Sequence, residues 1–451
     1  MHVAVIGAGP AGLFLGAALA RRGHRVTAVD RDPGPSGSRR WDRRGVMQFH
    51  HAHAFRQTVA DALAREVPDA MERWLELGAE PIRGGMPGAP ESPMGHRSKR
   101  ETFERALHVS ACETPGFELL TGHVDAVVQR DGAAAGVVID GSTYDADLVV
   151  DASGRNGRVT RQLGERAGVG GPCGQAYVDR VYRLRPGAEP GPMTSPIAWQ
   201  ADCEGYLCLL FPHERGLFSV VIVRATDDPA LRDLRHAAAF TAAARAIPGL
   251  DAWTDPERAE PVTDVLPGGP LLNVYRGQCT EDGNLVLPGL VFVGDSVATT
   301  TPAFGRGITT TLWQCEALLS LLDHDADDLA GLGVALDDWG ADLMRPWVED
   351  HIHIDTDRVA RWSGRDVDLD APLPSDLILD AARVRPEIME SAGGYLSMAA
   401  LPATLREAEP IAREVYAGGW RRGSDPGPSR VELAEIVAEA TQLSGTGSRR
   451  G

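Results

Sequence analysis

Lysine is almost missing from this chain. Lys99 is the only one in 451 residues, so arginine carries nearly all of the 45 positive charges. Chemistry that needs a lysine therefore has a single candidate. Positive charge is short altogether, because 63 Asp and Glu residues leave a net charge of −18. Nucleic acids and anionic membranes recruit basic surfaces, so neither is expected as a partner. Cysteine is scarce as well. Cys112, Cys173, Cys203, Cys208, Cys279 and Cys315 contain no C-x-x-C pair, which fits free thiols in a reducing compartment better than a disulfide framework. No apolar run approaches the roughly 20 residues of a membrane span. No basic stretch leads into an apolar core at the start, as it would in a signal peptide, and the expectation is a cytoplasmic protein.

What is present is an ordinary globular composition, 43% hydrophobic and 24% charged, long enough for two or three domains. The most informative stretch is Met1 to Asp30. Val3 to Ile6 is a short apolar run of strand type, followed by Gly7, Gly9 and Gly12 in the order G-x-G-x-x-G. An Ala-rich helix pattern with Pro10 and Ala11 at its start reaches Arg22. A second β-rich run, Arg25 to Val29, ends in Asp30. Strand, glycine turn, helix, strand and a terminal acid are the dinucleotide-binding fingerprint. Gly7 permits the tight turn, Gly9 lets backbone N–H groups approach a pyrophosphate, and Gly12 lets helix and strand pack closely. The helix N-terminus offers free donors and a positive dipole to phosphate, and Asp30 can accept from ribose hydroxyls.

Further along, Arg31 to Arg44 reads as a loop, Gly45 to His53 as an unusual Gln- and His-bearing segment, and Phe55 to Leu77 as helix. Gly84 to Gly95 reads as a Gly/Pro-rich connection, and Lys99 to Cys112 as a second helix. Short strands are expected at Glu118 to Leu120, Val124 to Arg130, Gly136 to Asp140 and Ala146 to Asp151. The β-rich runs Ala176 to Leu184, Ile197 to Cys203, Gly205 to Phe211 and Leu217 to Arg224 suggest a separate antiparallel sheet, interrupted by a helix at Pro229 to Ile247. Parallel-sheet texture returns at Leu290 to Asp295. The stretch from about 330 is mainly helical, with a tail from Ser444 expected to be disordered. The fold class is α/β, α+β overall: a Rossmann-type domain with an inserted antiparallel sheet and a C-terminal helical region. The division is 1–170 for the first part of the cofactor domain, 171–280 for the substrate sheet, 281–330 for its second part, and 331–451 for the helices.

Gly294-Asp295 ends a buried strand, and Pro302, Gly305 and Gly307 precede a helix that opens at Ile308. A carboxylate there can bond a polyol chain, and the glycines let backbone pass beside a flat ring. With Arg100 opening its helix and the segment Asp151 to Arg158, these motifs make Met1 to about Leu322 resemble the FAD-dependent monooxygenases of the aromatic-hydroxylase type. The segment Gly45 to His53 is similar to the Gly-Val-Pro-Gln-x-x-His-x-His pattern of its epoxidase-like, tailoring branch, with Met47 in place of the proline. The resemblance implies that Gly7 to Gly12, Asp30 and Arg31 hold ADP and ribose, with Val124 against the adenine. It places Arg100 at the pyrophosphate or ribityl region, Asp295 with Gly294 at the ribityl chain, and Pro302 to Ile308 at the flavin ring. Asp151 and Gly154 belong to the same cofactor set. Gln48, His51 and His53 pass near the flavin and are the candidates for catalysis, no acid or base being assignable.

The implied activity is insertion of one oxygen atom from O2, by hydroxylation or epoxidation through a flavin C4a-hydroperoxide, into a small apolar or aromatic substrate in bacterial specialised metabolism. The electron donor is NADPH or NADH, or reduced flavin from a partner reductase. Ser153 stands where the family usually has an acid in a segment that helps nicotinamide reach the flavin, which leaves direct reduction open. Two rivals share the cofactor: a reductase of geranylgeranyl-reductase type, and a flavin-dependent halogenase, whose W-x-W-x-I-P motif is missing and whose lysine could only be Lys99. His50, His51 and His53 have no acid or cysteine at ligand spacing, so no metal is expected. His351 and His353 read as solvated or structural, Cys203 and Cys208 as separate buried thiols, and His213 to Arg215 as a solvated turn. Trp199, Tyr206, Phe211 and Tyr275 are candidates for lining an apolar pocket.

Overall fold

The run Val3 to Ile6 becomes the strand His2–Ile6, centre of a five-stranded parallel sheet in the computed structural model, which describes residues 1–37, 41–43, 45–85, 90–325 and 328–447. Its strands lie in the order Leu290–Phe292, Leu148–Asp151, His2–Ile6, Arg25–Asp30, Phe117–Thr121. Both faces are buried, which is why these strands read as continuous apolar runs. Successive side chains point to opposite faces. Val3, Val5, Val26, Ala28, Leu148 and Val150 pack on the helices Pro10–Arg21, Arg100–Glu113 and Gly307–His324. Ala4, Ile6, Val29 and Val149 face the small antiparallel sheet Val124–Arg130, Ala133–Ile139, Ser142–Asp145 and the C-terminal helices.

The second sheet is antiparallel, in the order Trp199–Cys203, Tyr206–Pro212, Leu217–Ala225, Gly168–Leu184, Leu266–Arg276, Ala298–Thr299. One face packs on the helices Ala237–Ala246 and Leu250–Thr254 and on Leu433 and Val437 of the last helix. The other face presents Tyr177, Leu209, Phe211, Val221, Val223 and Leu271 towards the parallel sheet. Among the described residues no helix is long and apolar enough to cross a membrane.

Local readings shift in several places. The Phe55 to Leu77 helix is a two-residue strand and two helices, Gln57–Glu66 and Pro68–Glu76, because Pro68 supplies no N–H to continue the first. The Gly84 to Gly95 connection contains the ends of two paired strands, Glu80–Gly84 and Ser92–Arg97. The strand Leu266–Arg276 was not expected at all. The last helix runs Arg430–Gly447, past the expected start of a disordered tail at Ser444, and residues 448–451 lie outside the described ones.

The closest approach in the parallel domain is at the glycine turn. A Cβ on Gly12 would lie 1.9 Å from the Gly7 carbonyl oxygen, and Gly7 itself has φ +103°. Backbone cannot yield there as a flexible side chain can. Gly12→Ala is expected to destabilise the protein by about 1–3 kcal/mol or more, as overpacking does. Gly171→Ala, whose added Cβ meets nothing within 4 Å, serves as the neutral control in denaturant melts followed by circular dichroism.

Candidate functional site

A cavity of about 1290 Å³ runs between the two sheets, from the glycine turn to the start of the helix Gly307–His324. Every residue nominated for cofactor contact lines it except Gly12 and Asp151. Gly12 is spent on helix–strand packing. At the near end, Gly7, Gly9, Pro10 and Ala11 lie where the first strand turns into a helix with no side-chain N-cap, so its first N–H groups face the cavity unpaired. Arg31 and Val124 line the same end.

Asp30 is more constrained than a free ribose acceptor. Its Oδ2 accepts from Ala8 N at 2.8 Å and Arg43 Nη2 at 2.6 Å, and Oδ1 accepts from Asp32 N at 2.9 Å. A carboxylate has about four acceptor positions, so one remains for a ligand. Arg43 is 5% exposed and also donates to Ala8 O at 3.0 Å and Glu104 at 2.6 Å. Burial opposes its charge, but Glu104 and Asp30 outweigh burial and raise its pKa above the ordinary arginine value. Nothing in an Arg-rich loop marks Arg43 beforehand.

In the middle of the cavity, Arg100 lines the wall, paired with Glu104 one turn on. Asp295 projects into the lumen, open there yet enclosed by protein. Enclosure raises its pKa, while Arg100 and Arg155 pull it down. Gly154 and Gly294 complete this part. Asp151 is turned away from it. Its carboxylate accepts from Ser153 N at 2.9 Å, Ser153 Oγ at 2.5 Å and Thr160 Oγ1 at 2.5 Å, knotting the segment that follows. The unexpected serine is thus bound to the strand-end aspartate.

At the far end, Pro302, Gly305, Gly307 and Ile308 line the cavity, and Gly305 adopts φ +61°. The helix at Gly307 also lacks a side-chain cap. This loop is held from outside. Arg306 is 1% exposed, donates to Asp350 at 3.2 Å, and its guanidinium lies 4.5 Å from the Trp347 ring centre and 4.7 Å from that of Tyr395. Thr301 bonds His351 Nδ1 at 2.9 Å and donates to Asp355 at 2.8 Å, while Asp355 accepts from Gln175 and Asn273. Burial lowers the His351 pKa and raises that of Asp355. His351 is fully buried, a structural role within the expectation, and the C-terminal helices support the site in a way the sequence did not reveal.

The remaining wall is apolar: Tyr177, Leu209, Phe211, Val221, Val223, Leu271 and Leu272, joined by Met47, Gln48 and His53. Of the four aromatics nominated for it, Phe211 alone lines the cavity. Trp199, Tyr206 and Tyr275 are core. Gln48 lies beside Tyr177 in this wall. His53 donates from Nδ1 to His51 O at 3.0 Å, which leaves Nε2 as an acceptor, and burial drives its pKa to about 3. His51 does not line the cavity. His51 packs behind the wall, edge-on to Tyr177 and 3.8 Å from Asp179, with its pKa driven to about 4 by burial. Asp179 is fully buried, and burial pushes its pKa up to about 8. His213 and Glu214 are buried rather than solvated: Glu214 accepts from Lys99 N at 2.7 Å, and His213 bonds Ser219 at 2.9 Å. Cys203 and Cys208 are free, buried thiols, with Cys203 opposite Tyr206 and Cys208 opposite Ala201 on paired strands. Among the described residues no group of three or more His, Cys, Asp and Glu could hold a metal ion.

Residues 5–67 match the NAD(P)-binding Rossmann-like domain family. Protein FixC of Salmonella typhi is 30% identical over 168 residues, 36% of this chain and 38% of that protein, so the match spans well under half the relative's length. Among solved structures, the flavin-dependent brominase Bmp2 superposes with a TM-score of 0.62 at 16% identity, covering 93% of this chain and 99% of that one. 2-Methyl-3-hydroxypyridine-5-carboxylic acid oxygenase superposes with a TM-score of 0.56 at 16% identity, over 82% and 94%. With its parallel dinucleotide-type sheet, second antiparallel sheet and closing helices, the chain has the fold shared by FAD-dependent monooxygenases and flavin-dependent halogenases.

Proposed function

We propose that the cavity holds FAD in extended form and that the protein is an FAD-dependent monooxygenase acting on a small apolar or aromatic compound. The observation that carries this reading is the convergence of three sequence-distant motifs on one cavity. Its 1290 Å³ exceeds the roughly 300–1,000 Å³ of an ordinary ligand pocket, which leaves room for a cofactor and a substrate together. The lining fits FAD chemically. Two uncapped helix N-termini point at it, one suited to a pyrophosphate and one to a ring that gains negative charge on reduction. Asp30 would take a ribose hydroxyl, Arg100 the pyrophosphate or ribityl region, and Asp295 the ribityl chain.

FAD, when bound, supplies the activation of O2 that side chains cannot. The chain's own residues orient substrate and exclude water. Leu209, Phe211, Val221, Val223 and Leu271 form a dry wall facing the ring loop. Gln48, Tyr177 and the Nε2 acceptor of His53 offer hydrogen bonds to one polar group of the substrate. His53 stays neutral at physiological pH, so it accepts a hydrogen bond there without delivering a proton of its own. Hydroxylation or epoxidation fits this wall. Halogenation is less well supported, because Lys99 lies outside the cavity lining and its ammonium pairs with Glu101 at 3.2 Å. The donor is NADPH or NADH acting directly, or a partner reductase.

Purified protein is expected to carry FAD, visible as the flavin absorbance bands. Asp295→Ala and Arg43→Met are expected to weaken FAD retention tenfold or more in dialysis. Anaerobic mixing with NADPH and then NADH reads the donor: bleaching by either shows direct reduction, and bleaching by dithionite alone requires a partner or prior substrate binding. A protein that neither carries nor takes up flavin refutes the proposal.

A second expectation concerns Asp179. Its folded pKa of about 8 lies above the ordinary 3.8, so between those values the folded state binds more protons than the unfolded one. This group therefore lowers stability as pH rises through that window. Asp179→Asn removes the effect, and its stability relative to wild type is expected to increase from pH 4 to pH 8 in urea melts. A pH-independent difference would show that Asp179 is ionised in the fold.

A further inference from the structure

Gln175 is a polar side chain set among the apolar residues of the main cavity. It lies two residues before Tyr177 on the strand Gly168–Leu184, so both point to the same face, towards a lining that includes Val223, Leu271 and Leu272. Gln175 is 1% exposed, and its amide is held at one end only. Nε2 donates to Asp355 Oδ1 at 2.8 Å. Oε1 has no hydrogen-bond partner among the described residues and is not sealed in protein, so it opens on the lumen.

An amide on its own can turn over and present its NH2 group instead. Asp355 prevents that here, because donors already surround it. Asn273 Oδ1 accepts from Thr301 N at 2.8 Å, which leaves Asn273 Nδ2 to donate to Asp355 Oδ2 at 2.7 Å. Thr301 Oγ1 donates to the same oxygen at 2.8 Å. Burial raises the Asp355 pKa, while Arg358 at 3.6 Å, Asn273, Thr301 and Gln175 oppose the rise. A flipped Gln175 would set its carbonyl oxygen against this carboxylate, two acceptors facing each other in a dry site. Asp355 is thus a positioning residue that decides which atom of Gln175 the lumen meets. His53 Nε2 is an acceptor in the same lining, so the wall asks twice for a donor.

We propose that Gln175 is a specificity-determining residue of the oxygenation site, its carbonyl oxygen accepting a hydrogen bond from an N–H or O–H group of the substrate. This rests on the reading of the cavity as the site of FAD and substrate together. It narrows the substrate to an apolar compound that carries a donor. It also selects against the ether, N-alkyl or plain hydrocarbon analogue, which would leave the Gln175 acceptor buried and unpaired. A site built around a hydrogen bond rejects an analogue that lacks it more strongly than an apolar pocket rejects a change of size.

The test is titration of the flavin-loaded protein with two matched pairs of probes, indole with benzofuran and phenol with fluorobenzene. Binding is read by calorimetry and by the change in flavin absorbance. In each pair the second compound has nearly the shape of the first without its donor. The wild type is expected to bind at least one donor probe about tenfold or more tightly than its partner. Gln175→Met keeps the volume and removes the acceptor, and is expected to lower that ratio at least fivefold with FAD retained. Asp355→Asn frees the Gln175 amide to turn over and is expected to lower the ratio too, a change that a purely structural role would not produce. It also supplies a second reading if Gln175→Met does not fold. Arg130→Gln, an exposed position on the small sheet, is expected to leave the ratio unchanged. Absence of a donor preference in both pairs, or an unchanged ratio in either variant, would overturn the proposal. Loss of FAD from Gln175→Met with the ratio unchanged would assign Gln175 to the cofactor and overturn it as well. Protein without flavin is titrated by calorimetry alone, so failure of the flavin reading is scored separately from failure of the Gln175 acceptor.

Discussion

The buried guanidinium of Arg306 is the interaction on which the far end of the cavity depends. The loop from Thr301 to Gly307 has little to hold itself with: a left-handed glycine, a proline, and a helix start without a side-chain cap. Arg306 anchors it by plugging into a cage of Phe304, Trp347 and Tyr395, with Asp350 as its counter-ion and Tyr395 donating to that same carboxylate at 2.7 Å. A charge this deep is costly unless paired and ringed by polarisable faces, so the loop can occupy few other positions. Thr301, fixed by His351 and Asp355, pins the other end of the loop. Arg56 reaches across to the Phe304 carbonyl at 2.8 Å and the Leu396 carbonyl at 2.6 Å. The helices after residue 330 therefore act as the scaffold for a loop 40 residues or more upstream.

That dependence explains which parts of the molecule were legible in the sequence. The glycine turn, Asp30, Gly294-Asp295 and the loop from Pro302 to Gly307 were readable as cavity features because their chemistry is local: a few residues of fixed spacing make a turn, a helix start and a carboxylate. The strands of the parallel sheet were readable because two-sided burial gives continuous apolar runs. What was lost depends on distant partners. Arg43 looks like any arginine of a polar loop until Asp30 and Glu104 close around it. His351 and Asp355 sit in a helix whose spacing suggests an acidic, wetted face, yet Thr301, Asn273 and Gln175 bury them.

Two further misses have backbone causes. The strand Leu266–Arg276 is disguised by Pro267, Gly268, Gly269 and Pro270, residues that normally end strands. It survives because its pairing with Gly168–Leu184 shifts register around Pro172 and Ala176, so the prolines fall where the ladder is already broken. At His213 to Arg215 the turn composition was read rightly as a turn, and Arg215 is exposed as expected, but His213 and Glu214 are buried. Glu214 is drawn inward because the start of the helix Arg100–Glu113 needs an acceptor, supplied to Lys99 N and Thr102.

Charge is distributed against the average of the chain, and this has a consequence for what the cavity can hold. The molecule carries −18 overall, yet the main cavity is lined by Arg31, Arg43, Arg100, Arg155, Arg158 and Arg161 against Asp30, Asp32, Asp42 and Asp295. Asp30 is neutralised by Arg43, so the lumen is net cationic inside an anionic shell. Low-dielectric walls focus such a field along the cleft. The charge also runs in one direction. Arginines crowd the glycine-turn end and the middle, while the end at Pro302 to Gly307 offers threonines, glycines and the apolar sheet face. A ligand with a phosphorylated tail and a flat, weakly charged head is oriented by that gradient alone, tail to the glycine turn and head to the wall of Leu209 and Val221. The reverse placement would bury phosphates against hydrocarbon and leave guanidinium groups unpaired. Orientation thus comes from the charge pattern, and the Arg306 cage fixes the distance at which the head meets the wall.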